Sequence, residues 1–204
     1  MKGKLVQKVV KVLIAVPCFQ TCEPEVMRDI YRLNIPDNVE TSLEFVLGYG
    51  VAQARNESAR FALANGFDYI LFVDSDVLVP KSLLEELLKL DSDIAAGWYK
   101  RKREQQFAEV YVWETDEKKA MKKLTAEDIS KLNTCEINAC GFGCALVKTE
   151  LFKKIPDYTW FNFVETSQTQ ITEDLNFCLK AAKAGAKIML EPRLQCVHIM
   201  KVGI

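Results

Sequence analysis

The order of apolar and polar positions predicts buried strands alternating with amphipathic helices over the first half of the chain. Short apolar runs are typical of strands covered on both faces of a sheet. An unbroken run occurs at Tyr69–Val73, and further strand candidates are Val9–Val16 and Ile94–Trp98. Thr41–Leu47 alternates as a strand does, and Val51–Ala64 is Ala-rich and helical. This alternation up to about residue 98 is typical of a doubly wound, nucleotide-binding α/β half.

The pattern changes character after residue 98. Phe107–Trp113 and Cys144–Val147 are predicted strands, and the charged segment 116–131 between them is interpreted as a solvated helix or a flap. Asp157–Gln170 is polar and aromatic without periodicity, which indicates a mobile loop. A helix is predicted at Thr172–Ala184, and two short strands follow it.

Candidate chemistry is concentrated at Asp74-Ser75-Asp76, directly after the central apolar run. Side chains two residues apart on an extended chain point to the same side, so the two carboxylates can converge. Ligands of open α/β sheets bind just past the carboxyl ends of such strands. Two carboxylates meeting there repel each other unless a cation lies between them. The alternative is a plain turn, because Asp and Ser are common turn residues.

Three other regions offer candidates for the same site. Asn56 shares an apolar stripe of its predicted helix and needs a partner, either in a structural hydrogen bond or in a ligand. Arg55 is the better candidate for binding a phosphate or carboxylate. Glu173 and Asp174 open a predicted helix, where the helix dipole alone also favours acids. His198 is the single histidine, and its apolar neighbours equally suit a core residue.

Composition narrows the class of protein. A chain of 204 residues is enough for one domain with a sizeable core, and a net charge of −1 argues against a nucleic-acid binder. No stretch has the length of a membrane span or the apolar core of a signal peptide, so we expect a cytoplasmic protein. The N-terminal lysines allow peripheral membrane contact at most. The seven cysteines lack zinc-ribbon spacing and are interpreted as reduced thiols.

Taken in order, four segments resemble family 2-like glycosyltransferases with the GT-A fold. They are VLIAVPCF, ARNESARFALANGFDYILFVDSDVLVP, GFGCALVKTELF and TEDLNFCLKAAKAGAKIMLEP, followed by a closing histidine. The resemblance covers nearly the whole chain. It implies a single α/β GT-A domain over 1–204, with a mostly parallel central sheet and helices on both faces. Residues 1–98 would then form the nucleotide-binding half and residues 99–204 the acceptor-binding half.

The resemblance also implies roles on the donor side. Asp74 and Asp76 would be the Asp-x-Asp (DXD) motif that holds Mn²⁺ or Mg²⁺ against the nucleotide diphosphate, with His198 as a late metal ligand. Two carboxylates and an imidazole suit Mn²⁺ better than Mg²⁺. The donor nucleotide would contact Pro17, Arg55, Asn56 and Asp74.

On the acceptor side, Asp174 would match the general base of inverting family members. Glu173 is expected to contact the acceptor. Trp160 and Phe161 could offer faces for stacking on a sugar or lipid beneath a lid formed by the loop Asp157–Gln170, and they could equally turn back into the core.

These assignments predict transfer of a single sugar from a UDP- or GDP-sugar to a glycan, lipid or small-molecule acceptor. The chain has no Gln-x-x-Arg-Trp motif and no membrane span, both of which are features of processive synthases. One alternative is a nucleotidyltransferase, which would usually carry a Gly-rich, basic loop where this chain reads PCFQTCEPE. The other is a non-catalytic nucleotide-sugar-binding module, which would need no general base.

Overall fold

The structure is a computed structural model that describes residues 8–115, 120–165 and 170–200. The described helices are α1 (Pro24–Tyr31), α2 (Val51–Asn65), α3 (Leu83–Leu88), α4 (Ala126–Ser130), α5 (Glu150–Lys154) and α6 (Glu173–Lys183). The described strands are β1 (Val10–Cys18), β2 (Val39–Leu47), β3 (Tyr69–Val73), β4 (Val77–Leu78), β5 (Ile94–Trp98), β6 (Phe107–Trp113), β7 (Met121–Thr125), β8 (Cys135–Glu136), β9 (Ala139–Cys140), β10 (Cys144–Lys148), β11 (Val164–Glu165), β12 (Gln170–Ile171), β13 (Ile188–Gln195) and β14 (Val197–His198).

The central sheet has seven strands in the order β2-β1-β3-β10-β5-β13-β8. Strand β1 runs parallel to both β2 and β3, and β13 runs parallel to β5. Strand β10 lies antiparallel between β3 and β5, and β8 is antiparallel to β13. The predicted α/β class is confirmed, but the sheet is mixed where the sequence led us to expect a mostly parallel one. An apolar run predicts burial on both faces and carries no information on strand direction.

Helices cover both faces of this sheet, as predicted. Within β3, the side chains of Ile70 and Phe72 pack with α2 and α6 on one face. Leu71 and Val73 pack with α1 and α3 on the other face. The continuous apolar run of β3 therefore reflects a strand whose alternate side chains enter two separate cores.

Local signals were less reliable than the apolar pattern. Ser82 and Glu85 match a capping box in sequence, but Ser82 has φ −83° and ψ 0° and makes no side-chain cap bond. A capping side chain needs a residue in the extended region, as at Thr125, which forms a true capping box with Asp128. The charged segment expected to be a helix or a flap contains β7 and α4, and its residues 116–119 lie outside the described ranges.

The first part of the predicted loop at 157–170 is hydrogen-bonded to α6. Lys180 on α6 donates hydrogen bonds to Asp157 Oδ2 at 2.8 Å, to the Thr159 carbonyl at 2.8 Å and to Asn162 Oδ1 at 2.6 Å. Strand β11 then pairs with β12, and residues 166–169 of the expected lid lie outside the described ranges. One lysine thus fastens the first part of the segment to α6.

Two further properties follow from the described residues. None of their helices has both the length and the apolar character needed to cross a bilayer. All seven cysteines are free thiols, as expected. Burial and the neighbouring Cys18 raise the pKa of Cys22 to about 12, so this thiol is protonated at neutral pH.

Candidate functional site

The carboxyl end of β3 brings Asp74 against a buried arginine. Arg55 projects from α2 and is 2% exposed. Its guanidinium donates to Asp74 Oδ1 at 2.7 Å and to Glu173 Oε1 at 2.5 Å. Glu173 is the first residue of α6, so three separate elements meet at this one side chain. Such a buried triad fixes where the Asp74 carboxylate points.

Electrostatics keep the arginine charged in this buried position. Burial lowers the pKa of Arg55, but the carboxylates of Asp74 and Glu173 outweigh it and raise the pKa overall. Burial is the largest influence on Glu173 and raises its pKa, which the adjacent guanidinium opposes. The rings of Phe142 and Phe161 lie 5.7 and 6.0 Å from the guanidinium carbon. The cation is therefore enclosed by two carboxylates and two aromatic faces.

Asp76 has different partners from Asp74. Lys102 donates a very short hydrogen bond to its Oδ2, and His198 Nε2 lies 3.4 Å from its Oδ1. Burial opposes ionisation of Asp76, but its contacts with His198 and Lys102 outweigh that effect and lower its pKa to about 2. The Asp-x-Asp pair is thus divided, with one carboxylate held by Arg55 and the other facing Lys102 and His198.

Pairing of the last strand explains why His198 reaches this site. Strand β14 runs antiparallel to β4, which opposes His198 to Val77, and the Ile199 amide donates to the Asp76 carbonyl at 2.8 Å. The imidazole also meets the ring of Tyr99 edge to face at 5.2 Å. The predicted link between Asp76 and the late histidine is therefore present in the fold.

Tyr99 contacts His198, the partner of Asp76, and is linked to the backbone of Asp74 through Gly143. Its hydroxyl accepts a hydrogen bond from the Gly143 amide at 3.1 Å, and the Gly143 carbonyl accepts one from the Asp74 amide at 3.2 Å. A Cβ added at Gly141 would lie 2.3 Å from the Tyr99 hydroxyl, and one at Gly143 would lie 2.9 Å from the Tyr99 ring. Glycine is required here because the tyrosine packs directly against the backbone.

A cavity of about 510 Å³ opens beside Asp76. The residues that line it are Thr21, Glu23, Ser75, Asp76, Lys102, Ile199 and Met200. It lies between the start of α1, the turn after β3 and the end of β14. The Glu23 amide donates a hydrogen bond to the Ser75 carbonyl at 3.0 Å. Its volume is in the range of small-molecule sites.

None of the four residues expected to contact the donor nucleotide lines this cavity, and Asp74 is held by Arg55 as described above. Pro17 is a buried residue of β1, paired with Val46 of β2. Arg55 is enclosed as described above. Asn56 exchanges two hydrogen bonds with the backbone of Phe161, donating at 2.7 Å and accepting at 3.0 Å. For Asn56 the structural alternative left open by the sequence is the observed one, and Arg55 binds Asp74 and Glu173.

The structure also corrects the expected acceptor contacts. Trp160 and Phe161 are 2% and 1% exposed, so neither ring offers a free face. The Trp160 indole N–H donates to the Phe152 carbonyl at 3.0 Å, and the Phe161 ring stacks on Phe177 at 4.3 Å. Glu173 is 5% exposed and bound to Arg55. Burying large aromatic rings outweighs their polar sequence surroundings.

Asp174 is half-buried at the start of α6. Its Oδ1 accepts hydrogen bonds from the Thr172 hydroxyl at 2.5 Å and from the Leu175 amide at 2.7 Å. Burial is the main cause of the raised pKa values of Tyr99 and Tyr111, and the negative charge of Asp174 contributes to both. The carboxylate is therefore near enough to both tyrosines to act on them electrostatically.

A metal ion would find two protein donors here. Among the described residues, no group of three or more His, Cys, Asp or Glu side chains is arranged to hold a metal. Asp76 Oδ1 and His198 Nε2 are 3.4 Å apart. This separation is close to the distance of about 3 Å between two ligands that each lie about 2.1 Å from one metal ion. His198 Nδ1 is buried without a partner. This pair fits a divalent ion whose remaining ligands come from a bound molecule, while Asp74 is occupied by Arg55.

Sequence reasoning missed the residue closest to Asp76. Lys102 comes from the charged run YKRKRE between β5 and β6, and the only available signal was that concentration of basic residues. Thr21 and Glu23, which line the cavity, gave no signal, because their contribution depends on how the β1–α1 connection folds over the turn after β3.

The chain is similar to one known sequence family. A family model described as Glycosyl transferase family 2 matches residues 45–156, more than half of the 204-residue chain. No curated protein sequence matches the chain significantly.

Solved structures share the fold at low sequence identity. A197 from STIV aligns with a TM-score of 0.63 and 17% identity, over 94% of this chain and 87% of A197. GalNAc-T7, solved with UDP, GalNAc and Mn²⁺, aligns with a TM-score of 0.62 and 13% identity, over 95% of this chain and 43% of GalNAc-T7. S. aureus TarS 1–349, solved with UDP-GlcNAc, aligns with a TM-score of 0.56 and 16% identity, over 96% of this chain and 60% of TarS. The chain thus spans about half the length of these last two structures.

Proposed function

Because the chain belongs to glycosyl transferase family 2 and is therefore a glycosyltransferase, we propose that it moves a single sugar from a nucleotide-diphosphate sugar to an acceptor hydroxyl. In this proposal the reaction inverts the anomeric carbon and uses a divalent metal ion. The observation that carries it is the group formed by Asp76, His198 and Lys102 at the edge of a cavity of about 510 Å³.

The donor binds in this cavity with its diphosphate beside Asp76 and Lys102. A cation is needed there because the diphosphate and the Asp76 carboxylate carry like charges. Uracil nucleotides are the first candidates, since the similar structures of GalNAc-T7 and TarS contain UDP and UDP-GlcNAc. A GDP-sugar is the other donor to be tested.

Asp76 and His198 would hold the metal ion beside the diphosphate. A carboxylate with an imidazole suits Mn²⁺ better than Mg²⁺, which prefers oxygen ligands. When bound, such an ion supplies Lewis-acid stabilisation of the negative charge that develops on the leaving diphosphate.

Arg55 and Glu173 act on the site through Asp74. The guanidinium binds the carboxylates of Asp74 and Glu173 and so would hold Asp74 in one orientation behind the turn that carries Asp76. Held carboxylates need no reorganisation when the ligand binds, which favours catalysis. Arg55 itself stays out of reach of the donor because it is buried.

Asp174 is the proposed general base. Its half-buried carboxylate can accept the proton of an acceptor hydroxyl that attacks from the face opposite the diphosphate. The hydrogen bonds from Thr172 and Leu175 both reach Oδ1, and among the described contacts Oδ2 has no hydrogen-bond donor. In this proposal Oδ2 is the oxygen that takes the proton.

Titration of UDP and GDP in Mn²⁺ and in EDTA tests this function. We expect one nucleotide to bind at least about tenfold more tightly with Mn²⁺, because a cation held by Asp76 would offset the repulsion between this carboxylate and the diphosphate. Asp76→Asn should abolish most of that difference without unfolding the protein. Equal affinities in Mn²⁺ and EDTA would contradict metal dependence, and failure of both nucleotides to bind would refute the donor assignment.

A further inference from the structure

The two oxygens of the Asp76 carboxylate face two different cationic or metal-binding groups. Oδ1 is 3.4 Å from His198 Nε2, and Oδ2 accepts the very short hydrogen bond from the Lys102 ammonium. Lys102 lies in the segment between β5 and β6 and reaches across the cavity to the turn after β3. Its side chain is 44% exposed, so it can move without disturbing the core.

An ammonium at this position disfavours a divalent ion and favours a diphosphate. It neutralises Asp76 and so competes with any divalent ion for the same carboxylate. It also lies in the cavity where a diphosphate would bind, and a lysine ammonium is a good point-charge partner for phosphate. Among the described residues, Asp76 and His198 are not joined by a third carboxylate, thiol or imidazole that could strengthen metal binding.

We propose that Lys102 is a built-in counter-cation of the donor site. In the free protein its ammonium pairs with Asp76. When the nucleotide binds, the ammonium transfers its contact to the diphosphate and leaves Asp76 to a divalent ion. This inference rests on the proposed function, because it takes the ligand of the cavity to be a nucleoside diphosphate.

The proposal predicts that one substitution changes two affinities in opposite directions. Lys102→Gln removes the competitor for Asp76, so Mn²⁺ alone should bind about 2- to 5-fold more tightly, the range of partly exposed ion pairs. UDP in EDTA should bind about 3- to 10-fold more weakly, because the diphosphate loses its only nearby cation among the lining residues of the cavity. A purely structural role for Lys102 would weaken both ligands together.

The experiment measures free Mn²⁺ by electron paramagnetic resonance and UDP binding in EDTA by calorimetry, on the wild type and three variants. Lys102→Arg keeps the charge and should keep the affinity for UDP within about threefold. Lys100→Gln removes an equal charge from an exposed position of the same segment and should change neither affinity. Thermal unfolding of each variant confirms that the fold is retained.

Opposite shifts in Lys102→Gln, absent in Lys100→Gln, support the counter-cation. Unchanged affinities in Lys102→Gln, or weaker binding of both ligands, overturn it while leaving the proposed function in place. If the wild type binds neither UDP nor GDP even with Mn²⁺, the proposed function fails and this inference fails with it.

Discussion

Arg55→Met should be among the most destabilising single substitutions in this protein. The change removes the guanidinium that pairs with Glu173 at 2.5 Å and Asp74 at 2.7 Å and replaces it with an apolar side chain of similar length. Glu173 is then left with a side chain that is 7% exposed and has lost its cation. Removing one partner of a buried ion pair typically costs about 3–5 kcal/mol.

The magnitude follows from the protonation of Glu173. Burial already raises the pKa of Glu173 above its ordinary 4.5, and without Arg55 we expect this carboxyl to take up a proton even at pH 7. Holding a proton roughly 2.5 pH units above that value costs about 3.4 kcal/mol, at about 1.4 kcal/mol per unit. We therefore expect the free energy of unfolding to fall by about 3–4 kcal/mol at pH 7.

The loss of stability in Arg55→Met should depend on pH. In Arg55→Met the pKa of Glu173 in the folded state is raised above its unfolded value of 4.5. The variant is therefore most stable below pH 4.5 and loses stability as pH rises through the raised folded pKa. The deficit relative to the wild type should shrink to about 1 kcal/mol near pH 4.5, where only hydrogen bonds and packing remain lost.

Urea unfolding followed by tryptophan fluorescence measures this, since Trp98 and Trp160 are buried reporters. Arg55→Met/Glu173→Gln is the matched control, because removing the second charge should restore about 2–3 kcal/mol. A loss below about 1 kcal/mol at pH 7, or no recovery in the double variant, would refute the reasoning about the buried triad.

Two further predictions concern single side chains of the site. Asp174→Asn should lower turnover by roughly 10²–10⁴ and leave donor binding with Mn²⁺ nearly unchanged. Asp157→Asn makes the same change at a surface acid bound to Lys180 and should leave turnover intact. Retained turnover in Asp174→Asn would remove the base assignment. Asn56→Leu should cost about 2–4 kcal/mol of stability, because the amide and carbonyl of Phe161 lose buried partners, and it should not change the affinity for UDP. Weaker UDP binding at unchanged stability in Asn56→Leu would restore a ligand contact.

The apolar pattern by itself determined the central elements of the fold. Tyr69–Val73, Ile94–Trp98 and Phe107–Trp113 were predicted with the bounds that the structure has. The run at Tyr69–Val73 is decisive because a strand buried on both faces cannot tolerate polar residues, so its ends coincide with the flanking Asp68 and Asp74. The position of Asp74 and Asp76 just past such a strand could be predicted for the same reason.

Strand direction and the partners of charged side chains were decided only by the tertiary structure. The antiparallel insertion of β10 between β3 and β5 depends on chain connections that no local pattern encodes. Arg55 could be expected at a ligand as readily as in the interior, because either environment satisfies a guanidinium. Its enclosure by Asp74 and Glu173 requires α2, β3 and α6 to meet.

Lys102 and Asp76 are far apart in the sequence but in contact in the fold. Charges act through space over a few ångströms, and these two residues are 26 positions apart in the chain. A sequence pattern records which side chains avoid water, because burial selects residue type position by position. It does not record which cation faces which carboxylate, since that depends on how β14 and the segment after β5 close over the end of β3.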